Sequence, residues 1–215
     1  MRGMRALVLE VPTAWLDERR RLGLDRRDEV WAGELHMVPP PHHAHGSLND
    51  GLGEFFRPHW QRLGLGRTFV EVGVARPGTP RPGGGGPGPG QDYRVPDRAF
   101  LLPERLDRLV GGWIVGGPDV VLEIVSPDDE SRAKLPFYRS IGVREVVLVD
   151  RDTRAVELFT ATEAGFAIVA PDAAGWVRSE ILRTELRAEP GPAGGPPALV
   201  LRRWDEPART LRIDD

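Results

Sequence analysis

Lys134 is the only lysine among 29 basic residues, and it stands eleven positions after Glu123, a carboxylate inside the apolar run VVLEIV at 120–125. Arginine nearly everywhere else reads first as coding bias, so one retained lysine points to work that arginine does badly. An ammonium is a compact charge whose pKa moves with its surroundings; a guanidinium is planar and keeps its proton. Glu123 poses the matching problem. Five apolar neighbours imply a strand covered on both faces, and a carboxylate there needs a cation or several donors. Asp97 directly follows Pro96 in YRVPDRAFLL at 93–102, which reads as another short strand. If the two strands pair, both carboxylates reach one edge of the sheet. Two carboxylates at such an edge suit Mg²⁺, a hard ion that keeps several waters. Lys134 would then orient an attacking water and stabilise charge developing on a phosphate.

Plainer readings stand beside these. Lys134 is equally a surviving surface lysine, Glu123 a structural carboxylate held by backbone donors or an arginine, and Asp97 the residue that shapes a turn after proline. Asp119 also follows a proline, but at the wrong end of its strand to meet Glu123. His42, His43 and His45 form HHAH after a triple proline. Such clusters bind zinc or other transition metals, but no second cluster matches this one. Solvated or hydrogen-bonded loop histidines are the plainer account, with His45 alternatively lining a groove beside the next helix. Arg19, Arg20, Arg21, Arg26 and Arg27 are interspersed with Asp17, Glu18, Asp25 and Asp28, which reads as a solvated helix face rather than a phosphate clamp.

The elements that must position these residues follow from periodicity. Strands are expected at 5–11, 33–38, 68–75, 93–102, 118–126, 144–150 and 154–160, the last two joined as a hairpin at Asp152-Thr153. Further short strands are expected in GFAIVA, GWVRSEI and PALVLRRW. Helices are expected at 12–22, with Trp15, Leu16 and Leu22 inward; at 47–63, despite Gly51, Gly53 and Pro58; and at 129–141. In the last, Ser126 or Asp129 caps the start, Pro136 lies in the first turn or kinks it, and Gly142 ends it. The segment 76–91, RPGTPRPGGGGPGPGQ, has little to bury and reads as a mobile loop within a hairpin. The order is that of a mixed α/β (α+β) protein, one domain over 1–215, with a central sheet and a β-rich C-terminal part from about 161.

Composition sets limits. Hydrophobic residues are 40% and charged residues 28%, as in globular proteins. With no cysteine, thiolate metal sites and disulfides are excluded, and a reducing cytoplasm is the default location. No run suits a signal peptide or a membrane span, so no membrane association is expected. A net charge of −3 argues against coating nucleic acid through bulk charge, but leaves a local basic groove open.

Three segments together resemble the Uma-type restriction endonucleases, long catalogued only as a domain of unknown function. They are RLGLDRRDEVWAGELHMVPPPHHAH at 21–45, YRVPD at 93–97, and PDVVLEIVSPDDESRAKLPFYRSIGVREVVLVD at 118–150. The likeness covers roughly residues 5–160. It implies membership of the PD-(D/E)xK nuclease superfamily, with a restriction-endonuclease-like core: a mixed sheet flanked by helices. By that resemblance Asp97 is the Asp of the PD element, Glu123 the acidic residue of the (D/E)xK element, and Glu29 the additional N-terminal glutamate. In its own charged run, DRRDE, Glu29 reads equally as solvated. Val125 stands where the superfamily has lysine, and Lys134 looks like its relocated replacement.

The leading expectation is a Mg²⁺- or Mn²⁺-dependent endonuclease acting on DNA, a homodimer being compatible with double-strand cutting. Asp97 and Glu123 would bind the metal, Lys134 would position or activate water, and Glu29 would assist. The rival is the same fold without catalysis, binding nucleic acid or another partner. A third reading uses Glu123 and Asp97 as an acid/base pair on another substrate.

Overall fold

The computed structural model describes residues 12–38, 40–78, 92–127 and 129–214. The strand expected at 5–11 and most of the Gly/Pro segment lie outside them. At the centre is a six-stranded mixed sheet. Its order is Gly165–Ile168, Val156–Thr162, Glu145–Asp150, Val120–Val125, Arg98–Leu101 and Arg67–Val70. Val120–Val125 and Glu145–Asp150 run parallel, with Glu123 opposite Leu148. The other neighbours are antiparallel, including the hairpin expected at Asp152-Thr153. Every residue of Val120–Val125 is buried, as a near-continuous apolar run requires.

Side-chain parity sets the direction of Glu123. Val120, Leu122 and Ile124 pack on Leu48, Leu52, Phe55 and Phe56 of helix His43–Phe56, and on a C-terminal antiparallel sheet. That sheet runs Val177–Ser179, Thr184–Glu189, Ala198–Arg203 and Thr210–Ile213. Val121 and Val125 point the other way, onto Phe137, Tyr138 and Ile141 of the Leu135–Ser140 region. Successive side chains alternate, so Glu123 shares the face of Val121 and Val125.

A third sheet covers part of that second face. Its order is Glu34–His36, Glu29–Trp31, Tyr93–Arg94, Val74–Ala75, Trp113–Val115 and Leu109–Val110. Two segments expected as single strands are therefore each split between two sheets. The segment 68–75 contributes Arg67–Val70 to the central sheet and Val74–Ala75 to the small one. The segment 93–102 does the same through Tyr93–Arg94 and Arg98–Leu101. Both cross at the same level, where the Glu71 N–H bonds the Asp97 carbonyl at 3.3 Å. Asp97 thus occupies the crossing rather than a strand. The crossing depends on Gly73, where an added Cβ would lie 2.3 Å from the Trp113 ring. Gly73→Ala is expected to cost about 1–3 kcal/mol through this overlap. Thermal melts would show it, and an unchanged midpoint would mean that Trp113 moves aside freely.

Three helix expectations need correction. The first helix is Thr13–Arg21, but Trp15 and Leu22 are 42% and 52% exposed. Beside the half-buried Leu16, its inward side carries Arg19 and Arg20 instead, because Arg19 binds the buried Asp28 at 2.7 Å. The second helix starts earlier than expected, at His43, with the His42 ring accepting the Ala44 N–H at 3.3 Å. After Phe56 it widens into a π-type turn over Arg57–Gln61, since Pro58 supplies no N–H. The third begins as a 3₁₀ turn, Ser131–Lys134, and becomes α-helical only at Leu135–Ser140. Pro136 falls in its first turn, and Gly142 ends it with φ of 85°. Asp129 accepts the Ser126 and Ser131 N–H groups at 2.7 and 2.8 Å, fixing the loop before it.

No helix among the described residues is long and apolar enough to cross a membrane.

Candidate active site

The elements converge on one cluster. Glu123 comes from the central sheet, Lys134 from the junction of the 3₁₀ turn and its helix, and Glu29 from the small sheet. Lys134 Nζ lies 2.8 Å from Glu29 Oε1 and 3.2 Å from Glu123 Oε1. Both carboxylates are buried. Parity explains the geometry. A lysine at 125 would have projected from the Glu123 face of the same strand, but Val125 is there, packed in the core. The ammonium reaches the same carboxylate from the covering helix.

Glu29 is buried, not solvated as the charged run around it allows. It opens a hairpin whose turn, Ala32-Gly33, takes φ of 50° and 94°. Its Oε1 also accepts the Val95 N–H at 2.9 Å, and its Oε2 accepts Trp31 Nε1–H at 2.8 Å. With Lys134 these donors leave the carboxylate well satisfied and tightly held. Behind it, the Arg94 guanidinium is sandwiched near the rings of Trp31 and Phe137, at 4.4 and 4.1 Å. His36 stacks on Trp31 at 4.1 Å. This column ties the small sheet to the Lys134 helix and so fixes the distance between Glu29 and Lys134.

Asp97 sits beside the other two carboxylates. Its Oδ2 accepts the N–H of Ile124, the residue after Glu123, at 2.7 Å. Pro96 and the crossing end the ladder at this point, and the carboxylate takes the place of a strand partner. Its Oδ1 lies 2.8 Å from His45 Nε2. Glu123 Oε1 also receives the buried Tyr138 hydroxyl, while its Oε2 accepts no hydrogen bond from any described residue.

The electrostatics follow from three carboxylates around one ammonium. Burial raises the Glu123 pKa to about 7: Lys134 pulls it down, but repulsion from Asp97 and Glu29 adds to the desolvation. Burial works against the Lys134 ammonium too, but Glu123 and Glu29 outweigh it and raise its pKa above the ordinary lysine value. Burial and the adjacent Glu123 push the Tyr138 hydroxyl well up, so it stays a donor. The cluster has more negative than positive charge, which is the condition that attracts a further cation.

Of the residues singled out by sequence, Glu29, Asp97, Glu123 and Lys134 are brought together. Asp119 is not: it is fully buried at the far end of its strand, bound by the Leu102 N–H at 2.8 Å and by Arg105 and Arg144. The HHAH group divides its labour, with His42 capping the helix and meeting the His43 ring at a tilt, and only His45 entering the site. Among the described residues no three or more His, Asp and Glu side chains form a metal cage. Two carboxylates, Asp97 and Glu123 with its Oε2, could hold an ion that keeps several waters. Sequence reasoning does not find Tyr138, and it offers His45 as a member of the HHAH cluster or a residue beside a groove, not as a partner of Asp97. The signal for Tyr138 is its spacing, four residues after Lys134 on the same helical face. A cavity of about 500 Å³ lies elsewhere, lined by residues including Leu16, Leu35, Phe69, Tyr93 and Trp113.

A sequence profile of the Uma2 family, described as "Putative restriction endonuclease", matches residues 16–190. Among solved structures, the fold is similar to that of a protein from Anabaena variabilis ATCC 29413 described as "a putative nuclease belonging to DUF820". The TM-score is 0.56 with 20% identity, over 78% of this chain and 89% of that one. A comparison with curated proteins finds no match.

Proposed function

The chain belongs to the Uma2 family, and from that premise we propose that it is a Mg²⁺- or Mn²⁺-dependent endonuclease that hydrolyses phosphodiester bonds in DNA. The observation that carries this reading is the Lys134 ammonium held between Glu29 and Glu123, with Asp97 anchored on the Glu123 strand. Asp97 and Glu123 are the residues that would hold the ion. A bound Mg²⁺ supplies Lewis-acid stabilisation of phosphate charge and makes a nearby water more acidic. Lys134 orients the attacking water and stabilises the negative charge that gathers on the phosphate oxygens. Its position does not wander, because Glu29 holds it and is itself held by Val95 and Trp31. Glu29 thus serves the lysine rather than the metal. Tyr138 keeps Glu123 in one rotamer by donating to Oε1.

A second reading is a nuclease-fold module that binds DNA without cutting it. Val125 in place of lysine, and the ion pair that engages Lys134, favour it. One experiment separates the two. Supercoiled, linear and single-stranded DNA are incubated with the protein and MgCl₂ or MnCl₂, with EDTA as control and Asp97→Asn as variant. Cleavage that needs the ion and disappears in the variant is the expected result. Salt-sensitive binding with no cleavage of any substrate would replace this reading by the second.

A further inference from the structure

We propose that His45 is a positioning residue: it fixes the orientation of the Asp97 carboxylate and thereby sets the affinity of the site for a divalent cation. The inference rests on the metal-dependent reading above and assigns a role to a residue outside the carboxylate–lysine cluster.

A carboxylate on a short side chain turns easily about its last bond unless both oxygens are tied. Here both are. Ile124 N–H holds Oδ2 at 2.7 Å, and His45 Nε2 holds Oδ1 at 2.8 Å. With one donor on each oxygen, the remaining lone pairs point in fixed directions. Carboxylates that ligate metals are characteristically held by such outer partners. The donor to Oδ1 is Nε2–H, so the imidazole is in the Nε2-protonated tautomer or doubly protonated, and either form makes the bond.

His45 is well placed to act as a fixed donor. It lies in the first turn of helix His43–Phe56, and Leu48 and Asn49, three and four residues on, are buried against the body of the protein. Arg98, next to Asp97, donates to the Asn49 carbonyl from beneath the same helix. The helix is therefore clamped over the Asp97 crossing, and the imidazole moves only if the helix does. Its side chain is 13% exposed, close to that of Asp97 at 15%, so the pair lies at the rim of the cluster and not within the core.

The plainer alternative is a tie between helix and sheet, with no effect on the ion. Stability and ion affinity distinguish the two. Mn²⁺ binding is measured by calorimetry at one fixed pH for wild type, His45→Ala, His45→Gln and His43→Ala, with thermal melts of each in EDTA. Glutamine keeps an N–H donor at a similar reach. His43 packs its ring at a tilt against His42, away from the bond to Asp97, so it controls for loss of a histidine from this turn. His45→Ala is expected to weaken Mn²⁺ binding roughly 10- to 100-fold. His45→Gln should recover most of that loss, and His43→Ala should match wild type. Wild-type binding with unchanged affinity in His45→Ala overturns the inference and leaves the metal reading standing. It is overturned equally if the melt of His45→Ala falls and that of His45→Gln recovers while affinity stays constant. If wild type binds no Mn²⁺, the metal reading falls and this inference falls with it.

Discussion

Glu123→Gln is expected to abolish divalent-ion binding and DNA cleavage, and at the same time to make the ion-free protein more stable at pH 8. The two effects have one cause. Glu123 is buried, and its pKa is raised to about 7 by desolvation together with the charges of Asp97 and Glu29. In the unfolded chain an ordinary glutamate titrates near about 4.3. Below both values the two states are protonated alike, and the carboxyl has no effect on the pH dependence. Between them the folded protein keeps a proton that the unfolded chain has lost, so stability falls as pH rises. Above about 7 the full penalty is present, on the order of 3–4 kcal/mol at the largest. Glutamine has nearly the same shape, its carbonyl can accept from Tyr138, and it never ionises. Unfolding in urea with EDTA, at pH 5 and pH 8, reads the result. The wild type should lose stability across that interval and the variant should lose less. A variant less stable than wild type at pH 8 would show that Lys134 depends on the Glu123 charge more than Glu123 suffers from burial.

On the metal-dependent reading proposed above, the same proton governs the ion. A cation arriving at Glu123 must displace it, so the wild-type affinity for Mn²⁺ should rise by up to about tenfold per pH unit below 7 and flatten above. An active site that is unstable when empty and relieved by its ligand is a common consequence of concentrating like charge for function.

The cluster is partly legible in the sequence because its signals are local. A glutamate in VVLEIV and a single lysine can be seen by composition, and parity then puts Glu123 on the face that Lys134 covers. Glu29 is harder, since DRRDE gives a solvated pattern and its burial comes from partners 66 and 105 residues away, Val95 and Lys134. Gly33 is the one local hint of the hairpin that turns it inward. The sheet crossings at Gly73 and Pro96 are hidden for a different reason. Alternation continues through both, and a period of two says which face a side chain takes but not which sheet supplies the partner. In the first helix, hydropathy points Trp15 and Leu22 inward, whereas the ion pair from Arg19 to Asp28 decides the orientation. The HHAH cluster marks His45 in the sequence, but its role needs the tertiary fold, because its partner Asp97 is 52 positions away.

Lys134→Met should destabilise the protein more than any other single change in the cluster, and Glu29→Gln should restore part of the loss. Methionine keeps the length of the side chain but leaves Glu29 and Glu123 buried without their shared cation. Removing one partner of a buried ion pair costs about 3–5 kcal/mol, much of it the penalty on the charge left behind. The loss has a partial escape, since Glu123 can take up a proton, and this puts the expected value at the lower end at pH 6 and higher at pH 8. In the Lys134→Met background, Glu29→Gln removes one of the stranded charges and should recover about 1–3 kcal/mol, although alone it destabilises. Urea unfolding of the four proteins forms the cycle. Additive losses would mean that Lys134 and Glu29 act independently, and the ion pair would then carry no weight in holding the lysine. Lys134→Arg addresses chemistry apart from charge. It keeps the cation but brings a planar, larger group into a space where Nζ sits within 3.2 Å of both carboxylates. It should fold, bind Mn²⁺ with affinity near that of wild type, and cleave at least about 100-fold more slowly, the scale of a lost preorganised electrostatic contact. Full cleavage by Lys134→Arg would make the lone lysine an accident of composition; binding without cleavage would identify the ammonium as the feature that selection has kept.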